Sequence, residues 1–136
     1  MTLSNARDPS RASDTLKGVR ILLVEDSWHV GMAMKMLLEA LGADVAGPAA
    51  TGAEAERLLS EHVPDLALVD FHLRDGELAN GLIDRIRDQG IDVVVITGYE
   101  VLPVPPKNVA AILQKPVREE LLLATVRPLI AQKAAR

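Results

Sequence analysis

Asp26, Asp70, Thr97 and Lys115 each stand at the end of a short apolar run, and Glu25 directly precedes the first of them. Carboxylates, a hydroxyl and an ammonium gathered in one place suit metal-assisted transfer of a phosphoryl group onto a carboxylate. Two facing carboxylates, Asp26 and Asp70, repel each other, and a hard cation relieves that repulsion. Mg2+ takes one or two carboxylates, keeps several waters and accepts phosphate oxygens at its remaining positions. Asp70 is then the nucleophile, with the metal offsetting charge on the oxygens. Lys115 supplies a mobile point charge that can pair with the new phosphate. Thr97 offers a hydroxyl donor to the same group. Transfer of this kind rests on positioning and charge neutralisation.

A parallel sheet would gather these residues, because crossover connections bring the ends of all its strands to one edge. The apolar runs at 19–24, 66–69, 93–96 and 110–114 read as its strands, with a shorter one at 44–46 before Gly47 and Pro48. Ser27 can cap a first helix, in which Val30, Met34, Leu37, Leu38 and Leu41 recur at helical spacing before Gly42 stops it. Thr51-Gly52-Ala53-Glu54 matches a capping box and opens a second helix through Ala55, Leu58 and Leu59. After a loop at 71–80, a third helix starts near Gly81, buries Leu82, Ile83 and Ile86, and ends at Gly90. Pro103, Pro105 and Pro106 occupy the next helical place, and an interior Pro costs a helix about 3 kcal/mol. The fourth helix is therefore expected to be short or irregular. A last helix begins near Arg118, with Glu119 and Glu120 at its positive end, and Pro128 should kink or divide it. Residues 1–17 read as a flexible polar tail and 18–136 as one domain, with ligands bound at the strand ends where strand order reverses.

Across residues 19–133 this pattern resembles the receiver domain of bacterial two-component response regulators. Val24-Glu25-Asp26 matches the family's acidic pair, Asp70 after Leu-Ala-Leu-Val its phospho-acceptor, and Thr97 and Lys115-Pro116 its switch hydroxyl and phosphate-contacting lysine. The resemblance implies a flavodoxin-like, doubly wound, five-stranded parallel α/β sheet in the order 2-1-3-4-5. It implies Mg2+ as cofactor, with Asp26 a direct ligand, Glu25 a water-mediated one, and His72 contributing its backbone carbonyl beside Asp70. It also implies a histidine kinase or histidine phosphotransferase as donor and a downstream protein as target. The chain departs from the usual pattern at Ile112, where receivers carry Phe or Tyr, and at Leu73-Arg74, where they carry Met-Pro. Thr97-Gly98-Tyr99 and the Pro-rich stretch after it resemble a subgroup of stand-alone receivers, although Asp92-Val93 replaces that subgroup's Pro-Phe. Tyr99 is expected to take over as the reporting ring.

Composition narrows the alternatives. Among 136 residues there are three aromatics, no Cys and a net charge of −4, which disfavours nucleic-acid binding and removes thiol chemistry and Cys-ligated zinc. No membrane association is expected, since no apolar stretch reaches the ~18 residues of a span; a cytoplasmic location fits. About twenty residues follow Lys115, so a stand-alone switch is expected, with output by protein association or as a phosphate sink. A haloacid-dehalogenase-type phosphatase also uses Asp, Thr and Lys around Mg2+, but needs an Asp-x-Asp nucleophile, and Asp70 is followed by Phe71-His72. A receiver-like binding module that is never phosphorylated is the remaining alternative. Taken singly, a strand-end acid is often a turn residue, and Lys115 an ordinary surface lysine. Trp28 reads equally as a docking residue or a packed one, and Met32, Met34 and Met36 as core and adaptable surface.

Overall fold

The structure, a computed structural model, describes residues 15–98 and 107–135. Tyr99 and the 103–106 stretch lie outside the described residues. The elements are β1 (Arg20–Val24), α1 (Trp28–Ala40), β2 (Asp44–Ala49), α2 (Gly52–Glu61), β3 (Leu66–Asp70), α3 (Asn80–Asp88), β4 (Asp92–Thr97), β5 (Ala111–Gln114) and α4 (Glu119–Ala135). All neighbouring strands are parallel, in the order β2-β1-β3-β4-β5. This is the flavodoxin-like α/β sheet, with its order reversing between β1 and β3.

Alternation along the strands builds a core on each face of the sheet. On one face Leu22, Val24, Ala67, Val69, Val93 and Val95 pack with Ala55 and Leu59 of α2 and Leu82, Ile83 and Ile86 of α3. On the other, Ile21, Leu23, Leu66, Leu68, Val94 and Ile96 meet Leu38 of α1 and Leu122 and Val126 of α4. Both layers cover β3, so all of its residues are buried, as expected for a central parallel strand. Among the described residues no helix is long and apolar enough to cross a membrane.

The caps form as their short-range chemistry requires. Ser27 Oγ accepts from Val30 N at 3.4 Å, and Thr51 Oγ1 accepts from Glu54 N at 3.1 Å. The return arm of the box differs from the simple motif, because Glu54 Oε1 accepts from Ala50 N at 3.4 Å.

Several boundaries differ from the sequence reading. Leu16 is buried, and its N–H donates to Leu41 O at 2.7 Å, so the packed chain reaches ahead of residue 18. β2 runs on through Gly47 and Pro48 to Ala49, with those two residues opposite Leu23 in a register shift between the Leu22–Ala46 and Val24–Ala49 pairs. β2 is an edge strand, where a bulge accommodates a proline that donates no ladder bond. Gly47 has φ +110°, and a Cβ there would overlap the Leu23 carbonyl oxygen. A Cβ on Gly31 of α1 would lie 2.7 Å from Pro48 Cβ, so helix and bulge touch closely. Val30 is 39% exposed rather than core, at a cavity it lines together with Lys115 and Pro116. Pro128 does not divide α4; it is exposed, and so is Ala124, whose carbonyl loses its i+4 N–H donor to the proline.

Candidate functional site

Strand register assembles the site. Val24 of β1 pairs with Val69 of β3, so Glu25-Asp26 and Asp70 emerge side by side at the carboxyl edge. Asp70 pairs with Ile96 and Thr97 with Gln114, which carries the same edge across to β5. Lys115 N then donates to Thr97 O at 2.7 Å, fixing the lysine's main chain beside the end of β4.

One carboxylate oxygen from each of Glu25, Asp26 and Asp70 lies within 4.8 Å of the others. The Lys115 ammonium sits 2.9 Å from Glu25 Oε1 and 3.1 Å from Asp70 Oδ2. The other oxygens of these two acids are held by main chain: His72 N donates to Asp70 Oδ1 at 3.1 Å and Ser27 N to Glu25 Oε2 at 3.2 Å. Glu25 N in turn donates to Ala49 O at 2.8 Å. Asp26 is half-buried, whereas Glu25, Asp70 and Thr97 are buried.

Burial, reinforced by Asp70 beside it, lifts the Glu25 carboxyl to about 7, although Lys115 and the Ser27 N–H pull it down. Burial lowers the Lys115 ammonium, but the hydrogen bond to Glu25 and the charge of Asp70 outweigh it and leave the group above its ordinary value. Three acids and one cation therefore leave a surplus of negative charge in a partly dry pocket, and a hard, oxygen-seeking divalent ion fits that donor set.

The backbone carbonyl expected from His72 lies in a loop folded back on itself. His72 and Leu78 form an antiparallel bridge flanked by Leu73 N to Glu77 O at 2.7 Å and Ala79 N to Phe71 O at 2.9 Å. That ladder uses the carbonyls of Phe71 and Glu77, not that of His72. The His72 ring packs edge-on against Phe71 with centroids 5.2 Å apart. Ile112 stands 47% exposed on β5, and Trp28 is 65% exposed at the start of α1. The sequence reading missed the main-chain partners Ser27 N and Ala49 O, which hold Glu25 in place. It also missed Glu77, whose Oε1 accepts from Gly52 N at 3.0 Å. Backbone groups carry no side-chain signature, and nothing local marks the pairing of Glu77 with Gly52.

Comparison with known proteins points the same way. The model of the response regulator receiver domain matches residues 21–127. The phyllosphere-induced regulator PhyR of Methylorubrum extorquens is 36% identical over 81 residues, 58% of this chain and 30% of that protein. The transcriptional regulatory protein PhoP of Escherichia coli is 36% identical over 84 residues, 60% of this chain and 37% of PhoP. The chain thus spans about a third of the length of these curated relatives. Among solved structures, the response regulator PhyR from Brucella abortus superposes with a TM-score of 0.76 at 27% identity, covering 98% of this chain and 55% of that one. A CheY-like receiver domain protein from Methanospirillum hungatei gives 0.74 at 28% identity, covering 89% of this chain and 99% of that one. Strand order, acidic edge, opposed lysine and matched sequence all converge, and the chain belongs to the response regulator receiver domain family.

Proposed function

We propose that this chain accepts a phosphoryl group on Asp70 from a phosphohistidine donor on a histidine kinase or histidine phosphotransferase. Receiver domains bind Mg2+, take phosphoryl groups from histidine kinases, and act as signalling phospho-acceptors rather than classical enzymes. The observation that carries the reading is the convergence of Glu25, Asp26 and Asp70 opposite the Lys115 ammonium. Asp26 and Asp70, with the His72 carbonyl, would hold Mg2+ directly, and Glu25 would do so through water. Bound there, the ion would offset charge on the phosphoryl oxygens.

The protein's own groups do the rest. An Asp70 carboxylate oxygen forms the new P–O bond as the P–N bond to the donor imidazole breaks, and the donor histidine leaves with the electron pair. The His72 N–H orients the carboxylate through Oδ1. Lys115, already against Oδ2, can follow the charge onto the acyl phosphate, and the Thr97 hydroxyl can donate to it. The altered surface around β4 and β5, including Ile112, then reports the event to a downstream protein, or the chain serves as a phosphate sink. Tyr99 is the proposed reporting ring in place of the aromatic absent at Ile112. Tyr99→Ala should abolish the phosphorylation-linked change in amide shifts on β4 and β5, and an undiminished change would remove Tyr99 from the scheme.

Incubation with acetyl phosphate and Mg2+ followed by intact-mass measurement tests the central claim. A mass gain of one phosphoryl group is expected in the wild type and none in Asp70→Asn. No gain in the wild type would favour the alternative, an unphosphorylated binding module whose exposed Ile112 serves association alone.

A further inference from the structure

We infer that Glu77 is a positioning residue that locks the acceptor loop to the acidic pair through the start of α2. The inference rests on the phospho-acceptor reading of Asp70 and extends it to a residue outside the pocket.

Three main-chain positions before and within α2 carry the connection. Ala49 O accepts from Glu25 N at 2.8 Å, which ties this segment to the acidic pair. Ala50 O accepts from Arg74 N at 3.3 Å, and Gly52 N donates to Glu77 Oε1 at 3.0 Å, which tie it to the loop after Asp70. Residues 49–52 therefore bracket the two halves of the site. Glu77 works in both directions: its carbonyl accepts from Leu73 N inside the loop hairpin, while its carboxylate reaches across to α2. A carboxylate at a helix N-terminus is favoured by the exposed N–H groups and the helix dipole. Gly52 leaves room for it, because a Cβ there would stand 2.8 Å from Glu77 Oε2.

The loop needs such a tie. It turns through Asp75 at φ 60° and Gly76 at φ +79°, and residues 74–78 are exposed. Its turn has little core packing to hold it, while His72 at its base must stay in register with Asp26 across the crevice. Groups that orient a metal's ligands without touching the ion typically change its affinity on the order of tenfold when removed.

The test is Mg2+ titration followed by amide shifts, run beside acetyl phosphate labelling, on wild type, Glu77→Ala, Glu77→Gln and Gly52→Ala. Glu77→Ala should weaken Mg2+ binding on the order of tenfold and slow labelling in proportion. Glu77→Gln keeps an acceptor oxygen and should stay within about twofold of wild type. Gly52→Ala places a methyl against only the flexible end of Glu77, so it should fall between wild type and Glu77→Ala, and the double variant should be no worse than Glu77→Ala alone. A general loss of fold would spare neither the Gln variant nor the non-additivity, so the pattern separates positioning from stability. Unchanged Mg2+ affinity in Glu77→Ala overturns the inference even if the wild type labels normally. Absence of labelling in the wild type overturns the phospho-acceptor reading instead, while the Mg2+ arm still judges Glu77.

Discussion

β3 and β5 deliver opposite charges to the same pocket by different means. Every residue of β3 is buried, with paired strands on both sides, and Asp70 leaves it already fixed by the His72 N–H. β5 is an edge strand of four residues, of which only Leu113 is buried, and it delivers Lys115 with its side chain 29% exposed. The acids are thus held by the core, whereas the cation is held by its main-chain bond to Thr97 and by the acids themselves. A receptor for a transferred group benefits from that asymmetry, because the fixed part sets geometry and the looser part follows charge.

The strongest way to break this contrast is to damage the rigid side from below. Leu68→Ala, at a fully buried position under the Asp70 edge, should cost about 3 kcal/mol in urea denaturation. A cost below about 1 kcal/mol would mean that β3 is not the stiff support described. Removing the cation should cost less. Lys115→Ala leaves Glu25 and Asp70 facing each other, and metal-free stability at neutral pH should fall by about 1–3 kcal/mol. Mg2+ should return most of that loss, and the same loss with and without Mg2+ would contradict the charge balance proposed.

The smallest effect sharpens the comparison through pH. Glu25, held near 7 by burial, binds its proton more tightly in the fold than in the unfolded chain. Its contribution to metal-free stability is therefore greatest below the unfolded value of 4.5 and is lost as pH rises to about 7. With Glu25 serving the metal as proposed, Mg2+ would compete with that proton, and apparent Mg2+ affinity should rise about tenfold from about pH 6 to about pH 8. A flat affinity profile would show that Glu25 stands apart from the metal.

The residues of the strand ends were legible because they depend on short, repeated signals, whereas sheet order is a tertiary fact that only the family resemblance implied. Apolar runs ending in Asp26, Asp70, Thr97 and Lys115 need only parallel pairing to meet. Ser27 and Thr51 were legible as caps because their partners lie three residues on. The continuation of β2 through Gly47-Pro48 was not, since a proline breaks a strand only where its missing N–H faces a neighbour, and edge position is a tertiary fact. α4 likewise passes Pro128 because the affected turn faces water. The burial of Glu25 and its ion pair with Lys115 join residues far apart in the chain, and no local pattern predicts them. Leu16 lies in a polar stretch whose composition hides a single anchoring side chain.

The near-contact of Gly31 with Pro48 has a consequence for anyone recombining this molecule with its relatives. A methyl at position 31 would press on the Pro48 ring and come within 3.5 Å of Glu25 Cγ. Swapping α1 alone for a donor helix with alanine there would therefore tilt the imported piece away from the pocket. Crossover points for functional chimaeras should fall before Glu25 or after Ala49, so that helix and bulge travel as one inherited block.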